Sequence, residues 1–218
     1  MTNNPMQEAL YKIEQAANEK AATLYLDGMD LKELPPEIGQ LSELSELWIG
    51  DNDLTTLPPE IGQLSNLREL DVYNNELTSL PPEVVKLTKL TNLSLARNKL
   101  TKLPEELWKI KSLTKLYLHN NQLSKIPAEI SQLTNLEELF LSRNELAVVP
   151  PEIGMLKNLT QLKLNENLLN TLPKEIADLI NLKSLDIRDN FLDVSKGITR
   201  QVNRPLLIIR ALFHDMPR

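Results

Sequence analysis

The sequence predicts an α/β solenoid, a right-handed superhelix whose concave side is lined by a parallel β-sheet. Three observations lead to this prediction: a unit of 23 residues recurs eight times, its leucines alternate with variable residues, and most units carry a proline-containing return segment. A unit of this size buries its apolar face only against neighbouring copies, so one elongated core is expected. Eight repeats should occupy residues 21–192, between helical caps at 1–20 and 193–218.

Each unit follows the pattern L-x-x-L-x-L-x-x-N-x-L, which identifies a leucine-rich repeat array. An asparagine recurs every 23 residues, with Met29 in its place in the first copy: Asn52, Asn75, Asn98, Asn121, Asn144, Asn167 and Asn190. An asparagine at the exit of a strand can bond backbone groups of its own and neighbouring turns. Losing it would leave those groups unpaired, at about 1–3 kcal/mol each. We therefore interpret these asparagines as structural.

The segments between the asparagines predict strands and tight returns. Leu47-Trp48-Ile49 has the two-residue period of a strand with one buried face, and eight such strands should stack in parallel. Return segments such as Leu34-Pro35-Pro36-Glu37-Ile38 contain proline, which favours an extended segment or a short 3-10 turn on the convex side. Trp108 lies on that side, where other repeats carry glycine, valine, serine or alanine. Either it fills a gap in the scaffold, which we favour, or it marks a second contact.

Both ends of the array need covers, because a solenoid exposes its core there. Apolar residues between Pro5 and Lys20 recur at helical spacing and predict the N-terminal cap. Pro205 opens an apolar run ending at Phe213, which predicts a C-terminal capping helix. This second helix is apolar around most of its girth, so either it is wedged deeply against the core or it contacts something else.

The amino-acid composition excludes thiol chemistry and disfavours several classes of partner. The chain has no cysteine, so it has no disulfide, thiolate metal site or thiol nucleophile, and a reducing compartment is favoured. Residues 1–20 have neither the basic start nor the apolar run of a signal peptide, which predicts a cytoplasmic protein. The net charge of −6 disfavours nucleic acid and membrane surfaces as partners.

The extended motif L-P-x-E-I-G-x-L-x-x-L-x-x-L-x-L-x-x-N-x-L, nearly complete from Leu57 to Leu77, resembles the intracellular Ras-group leucine-rich repeat proteins. It is also similar to the repeat region that precedes the GTPase domain of bacterial Roco proteins. The resemblance spans about residues 21–192 and implies protein binding, with a small GTPase or a phosphatase as the partner. The chain itself contains no G-x-x-x-x-G-K-[ST] phosphate-binding loop.

The sequence offers little for catalysis. The two histidines, His119 and His214, are four repeats apart and should not meet in one site. One glutamate per return segment forms a column rather than a catalytic pair. We therefore expect no enzymatic activity, no cofactor and no metal site.

Variable strand positions predict a binding surface on the concave face, by which we mean the solvent side of the sheet. Five of the nine aromatic residues fall on it, with Trp48 near Tyr73 and Tyr117 near Phe140. Aromatic and arginine side chains dominate interface hot spots. The candidate protein-binding residues are Tyr25, Trp48, Asp71, Tyr73, Arg97, Tyr117, His119, Phe140 and Arg143.

The pattern of the concave face predicts a monomeric, rigid scaffold for a partner protein, and three alternatives remain. The chain could be the regulatory repeat region of a larger Roco-type GTPase or kinase. It could be a structural or self-associating protein that pairs through the helix at 206–213 or through the concave face. Carbohydrate recognition by the aromatic rings is the third. The rings could also serve only to stabilise the sheet by stacking across strands.

Overall fold

Eight parallel strands form one sheet, in sequential order, in the computed structural model, which describes residues 4–213. The strands are β1 Thr23–Tyr25, β2 Glu46–Trp48, β3 Glu69–Asp71, β4 Asn92–Ser94, β5 Lys115–Tyr117, β6 Glu138–Phe140, β7 Gln161–Lys163 and β8 Ser184–Asp186. Neighbouring strands pair one repeat apart, as where Leu24 lies opposite Leu47. The predicted solenoid with a parallel sheet and helical ends is confirmed.

Short 3-10 helices return the chain along the convex side. They span Pro36–Gln40, Pro59–Gln63, Pro82–Lys86, Glu105–Lys109, Ala128–Gln132, Pro151–Met155 and Lys174–Asp178. Proline at the first position has a preset backbone torsion and no donor to lose, which favours this tight conformation. Each helix points one aliphatic side chain, such as Ile38 or Ile61, into the core. The core between the sheet and these helices is a continuous column of leucine, isoleucine and valine.

A ladder of asparagine side chains joins each repeat to the one before it. Asn98 is typical: its Oδ1 accepts from Leu77 N at 2.9 Å, and its Nδ2 donates to Val72 O at 2.9 Å. The same side chain donates to Leu95 O at 3.1 Å within its own repeat. Because one buried amide satisfies backbone groups of two coils, the structural interpretation of these asparagines is confirmed.

The residue before each ladder asparagine adopts the left-handed backbone conformation. Glycine, aspartate or asparagine occupies this position in five of the eight repeats, as these residues tolerate a positive φ. Arg97, Arg143 and Glu166 occupy it in the remaining three, with φ of 54°, 55° and 56°. A longer side chain at this position costs free energy, so the three charged residues are not explained by backbone preference.

Glycines on the convex side let adjacent 3-10 helices approach closely. A Cβ built on Gly62 would lie 2.5 Å from Glu83 O, and one on Gly154 would lie 2.4 Å from Glu175 O. Trp108 occupies the equivalent position in the fourth 3-10 helix, is only 1% exposed, and packs into the core. The 3-10 helix that follows packs less closely against this one than the other neighbouring helices pack against each other. Trp108 is therefore a buried residue of the scaffold and not a second contact on the surface.

Helices cover both ends of the core. Helix α1, Pro5–Glu19, is capped by the Asn4 side chain, which accepts from Met6 N at 3.0 Å, and it buries Ala9, Ile13 and Ala16. At the other end lie α2, Lys196–Thr199, and α3, Pro205–Leu212. Between them, Val202 O accepts from Leu185 N at 2.8 Å and so covers the free edge of β8.

Helix α3 is apolar around most of its girth, but only one of its faces packs against the core. Ile208 and Ile209 are buried, whereas Leu206 is 67% exposed and Leu207 is 39% exposed. The cap therefore leaves an apolar patch facing solvent. Within residues 4–213, no helix combines the length and the hydrophobicity that a bilayer crossing requires.

We expect Asn98→Ala to lower the free energy of unfolding by about 3–5 kcal/mol, because Leu77 N, Val72 O and Leu95 O lose their partner in a buried site. Asn135→Ala is the matched control, since this exposed asparagine makes one bond, to Lys111 O at 2.9 Å. Its loss should stay within about 1 kcal/mol. Urea unfolding followed by circular dichroism measures both, and equal losses would contradict the ladder's role.

Candidate functional site

The concave face is organised in columns that run along the solenoid. Strand pairing places one residue of each repeat in a central column: Tyr25, Trp48, Asp71, Ser94, Tyr117, Phe140, Lys163 and Asp186. Two residues further along each repeat lies a second column, which begins at Asp27 and includes Tyr73 and His119. Backbone hydrogen bonds such as Arg97 N to His119 O, at 2.9 Å, hold this second column in register beyond the strands.

Two pairs of aromatic rings lie on the central column. Tyr25 stacks on Trp48 with ring centroids 6.2 Å apart, and Tyr117 contacts Phe140 at 4.8 Å. The predicted Tyr117–Phe140 pair is confirmed. Trp48 pairs with Tyr25 instead of Tyr73, because register places Tyr25 directly opposite Trp48 while Tyr73 lies in the second column. Tyr25 is 59% exposed and lies on β1, the first strand of the sheet.

The third repeat places a carboxylate beside Tyr73. Asp71 Oδ1 accepts from Tyr73 N at 2.7 Å, which fixes the carboxylate against the backbone. Burial, reinforced by the negative charges of Asp27 and Asp51, raises the pKa of Asp71, although its hydrogen bonds act in the opposite direction. Across the Tyr73 ring lies the Arg97 guanidinium, 5.4 Å from the ring centroid. Acidic and basic groups therefore meet around one ring.

The fifth to seventh repeats carry the second aromatic pair and a lysine. Tyr117 donates its hydroxyl to Glu138 Oε2 at 2.6 Å, and burial together with this bond raises the pKa of Tyr117. Lys163 Nζ lies 3.9 Å from the centroid of the Phe140 ring. The aromatic pair is thus anchored at one side by a carboxylate and capped at the other by a cation.

His119 lies beside this group, in the second column. Its side chain is half-buried, and its Nδ1 atom is buried without a protein partner. Burial lowers the pKa of His119, and the positive charges of Lys163, Arg97 and Arg143 lower it further. The imidazole is therefore neutral near pH 7. Three positive charges therefore act on an imidazole that carries no negative charge to offset them.

A depression of about 460 Å³ opens between His119 and the last repeats. Its lining contains two ion pairs, Arg143 Nε to Glu166 Oε2 at 2.8 Å and Arg188 to Asp186 at 2.5 Å. It also contains Lys163, for which the structure shows no carboxylate partner among residues 4–213. One uncompensated positive charge therefore remains in the depression.

The predicted residues form three groups along one face rather than a single pocket. The groups are Tyr25 with Trp48, Asp71 with Tyr73 and Arg97, and Tyr117 with His119, Phe140 and Arg143. The set omitted Lys163 and Glu138, which contact the second aromatic pair directly. Lys163 follows Phe140 in the same column, so the register alone could have indicated it.

Only two side-chain polar atoms are both buried and unpartnered in the part of the chain that the structure describes. They are Trp48 Nε1 and His119 Nδ1, and both belong to the concave face. No cluster of three or more histidine, aspartate or glutamate side chains able to hold a metal occurs within residues 4–213. The predicted separation of His119 from His214 stays a prediction, since His214 lies outside the described residues.

Comparisons of sequence and of structure both match this chain to leucine-rich repeat proteins. Residues 37–146 match a family described as a leucine-rich repeat region, and residues 134–192 match a leucine-rich repeat family. The chain is similar to a leucine-rich repeat protein of Leptospira interrogans, with 39% identity, a TM-score of 0.70, and coverage of 82% of this chain and 52% of that one. It is also similar to an internalin of Listeria monocytogenes, with 25% identity, a TM-score of 0.68, and coverage of 81% and 51%.

The chain thus spans about half the length of these two solved proteins. A comparison with curated protein sequences gave no match.

Substituting Lys163→Gln should raise the pKa of His119, because it removes one of the positive charges that disfavour protonation. Titration of the imidazole carbon-bound protons by NMR measures this pKa, and His119→Gln assigns the signal. Lys157→Gln is the control, since that lysine contacts Asp178 and does not act on His119. An unchanged His119 pKa in Lys163→Gln would show that the lysine charge does not reach the imidazole.

The lowered pKa of His119 also makes the stability of the folded protein depend on pH. Because the folded pKa of His119 lies below the unfolded value, the unfolded state takes up the proton first. The histidine's contribution to stability is therefore complete above the unfolded pKa and is lost as the pH falls toward the folded pKa.

Proposed function

Because the chain belongs to the leucine-rich repeat family, we propose that it is a non-enzymatic scaffold that binds a partner protein through its concave face. The observation that supports this most directly is the concentration of aromatic and unpartnered polar groups on that face. Tyr25, Trp48, Tyr73, Tyr117 and Phe140 all lie there, as do both unpartnered buried side-chain atoms.

Binding explains features that sheet stability does not. Cross-strand ring stacking contributes about 0.2–1 kcal/mol per pair, whereas an unpaired buried polar atom costs about 1–3 kcal/mol. Trp48 and His119 each carry such an atom next to a stacking partner or a cation. A partner whose polar groups reach these rings would offset that cost. Arg97 and Arg143 also occupy left-handed backbone positions that glycine, asparagine or aspartate would fill with less strain.

Charge distribution orients the partner. The carboxylates of Asp27, Asp51 and Asp71 lie in the first three repeats, and the charges of the first two raise the pKa of Asp71. Arg97 and Lys163 lie further along the face. Complementary charge steers association and fixes register, so a basic patch of the partner should face the first three repeats.

The resemblance to Ras-group repeats suggests the biological setting. We propose a cytoplasmic protein without a cofactor that acts as a monomer, with a small GTPase or a phosphatase as its partner. Neither nucleic acid nor a membrane surface is part of this proposal, because the net charge is −6.

A second function is favoured by the C-terminal end of the solenoid. Leu206, Leu207 and Phe191 are exposed there, Phe191 by 71%. An apolar surface of this kind suits either self-association or contact with a further domain, as in the regulatory repeat region of a Roco-type GTPase or kinase.

Light scattering separates self-association from the scaffold proposal, which predicts a monomer at the chain mass of 24.8 kDa. Twice that mass, returning to the monomer value in Leu206→Ser/Leu207→Ser, would instead support pairing through α3. A dimer that persists in this variant would exclude α3 as the contact.

The scaffold proposal itself is tested by affinity capture from a lysate of the source organism. We expect a partner held by the wild-type chain to be lost, by about tenfold or more, from Trp48→Ala/Tyr73→Ala/Tyr117→Ala/Phe140→Ala. The reason is that an aromatic hot-spot residue commonly contributes about 2 kcal/mol or more to an interface. Circular dichroism must first show that the variant keeps its fold.

The matched control for this capture is Tyr11→Ala/Phe191→Ala, which removes two exposed aromatic rings that lie off the concave face. Equal retention by all three proteins would place the binding site elsewhere. Loss in the control alone would place it at the ends of the solenoid.

A further inference from the structure

Two cations on the concave face are held by rings rather than by carboxylates. The ion pairs that the structure shows among residues 4–213 involve Lys99, Lys115, Arg143, Lys157 and Arg188. Arg97 and Lys163 take part in none of them. Each lies over an aromatic ring, Tyr73 at 5.4 Å and Phe140 at 3.9 Å. A ring attracts a cation but leaves its charge available.

Lys163 differs from the other unpaired lysines because it is half-buried and faces a depression. A charge that has lost part of its hydration gains more from a partner than an exposed one does. The depression holds about 460 Å³, near the small end of the range for ligand pockets, so it accommodates one or two side chains. The two acidic residues in its lining are already paired with Arg143 and Arg188.

His119 forms the wall of the depression opposite the last repeats, and the charged groups that lower its pKa are all positive. Lys163, Arg97 and Arg143 are the groups that act on its titration. The imidazole can gain a proton and donate a bond if a negative group arrives, because that group would offset the three cations. An anionic side chain is therefore the group that this wall accommodates best.

We propose that the depression between His119 and Lys163 receives an aspartate or glutamate side chain of the bound partner protein. This inference rests on the proposed function, since it concerns the same concave face. Lys163 Nζ supplies the principal contact, and Arg97 adds attraction from the far side of His119. The partner's carboxylate thus enters the C-terminal half of the face, while its basic groups face the first three repeats.

Peptide display tests the inference with defined probes. A random linear peptide library is selected on the full chain, and clones that lose binding to Tyr117→Ala/Phe140→Ala are kept as binders of the concave face beside the depression. Each aspartate or glutamate of a kept peptide is then replaced by its amide. We expect one replacement to weaken binding about tenfold to the wild-type chain and to change binding to Lys163→Gln by less than about twofold. Lys157→Gln, which leaves the concave face intact, should behave as wild type.

Three outcomes would overturn the inference: kept peptides that lack acidic residues, an acidic residue whose loss costs the same on Lys163→Gln, or a phosphoserine peptide that binds where the matched glutamate peptide does not. The failure of the proposed function gives a different result. In that case no selected clone loses binding to Tyr117→Ala/Phe140→Ala or to Tyr25→Ala/Trp48→Ala, because the peptides attach away from the concave face. Selection on Lys163→Glu gives an independent check and should enrich lysine or arginine in place of the acid.

Discussion

The hydrogen bonds of the asparagine ladder are the constraint on which the rest of the structure depends. Each ladder amide accepts from one coil and donates to carbonyls of two coils. Asn144 accepts from Leu123 N and donates to Leu118 O of the preceding coil and to Leu141 O of its own. These backbone groups are buried where the chain leaves the sheet. Because the ladder asparagine is the side chain that satisfies them in each repeat after the first, the spacing between coils is fixed by one residue. Met29 shows where the rule ends, since its backbone N donates to Asn52 Oδ1 and no earlier coil needs bonding.

The fixed spacing allows the concave face to be arranged in advance of binding. Rings on neighbouring strands stack because the register places them directly opposite each other, as for Tyr117 and Phe140. Lys163 and Arg97 rest on rings and so have already lost part of their rotational freedom. Association then costs less side-chain entropy than it would on a mobile surface. Because the concave face is rigid, it adjusts little to the shape of a partner. Binding specificity must therefore come from which side chains occupy the columns.

The scaffold could be predicted from the sequence far better than the contacts on it, for a physical reason. Asn98 and Leu70 follow the repeat period, which is compatible with only one fold. Their positions in the structure could therefore be assigned from sequence spacing alone. The columns were assigned correctly for the same reason. Contacts within them depend on which way a long side chain turns. Trp48 turned toward Tyr25, and Lys163 lay over Phe140, although neighbouring positions offered each of them other partners.

The regular register also makes the distance between any two groups in the same column about a whole number of strand spacings, each about 4.8 Å. Tyr73 and His119, for example, are separated by two such steps. Duplication or deletion of one repeat in the gene would lengthen or shorten that separation by one step and leave every core contact of the other coils as it was. Gain or loss of repeats during evolution can therefore change the distance between binding groups in steps of one strand spacing, without altering the fold that carries them.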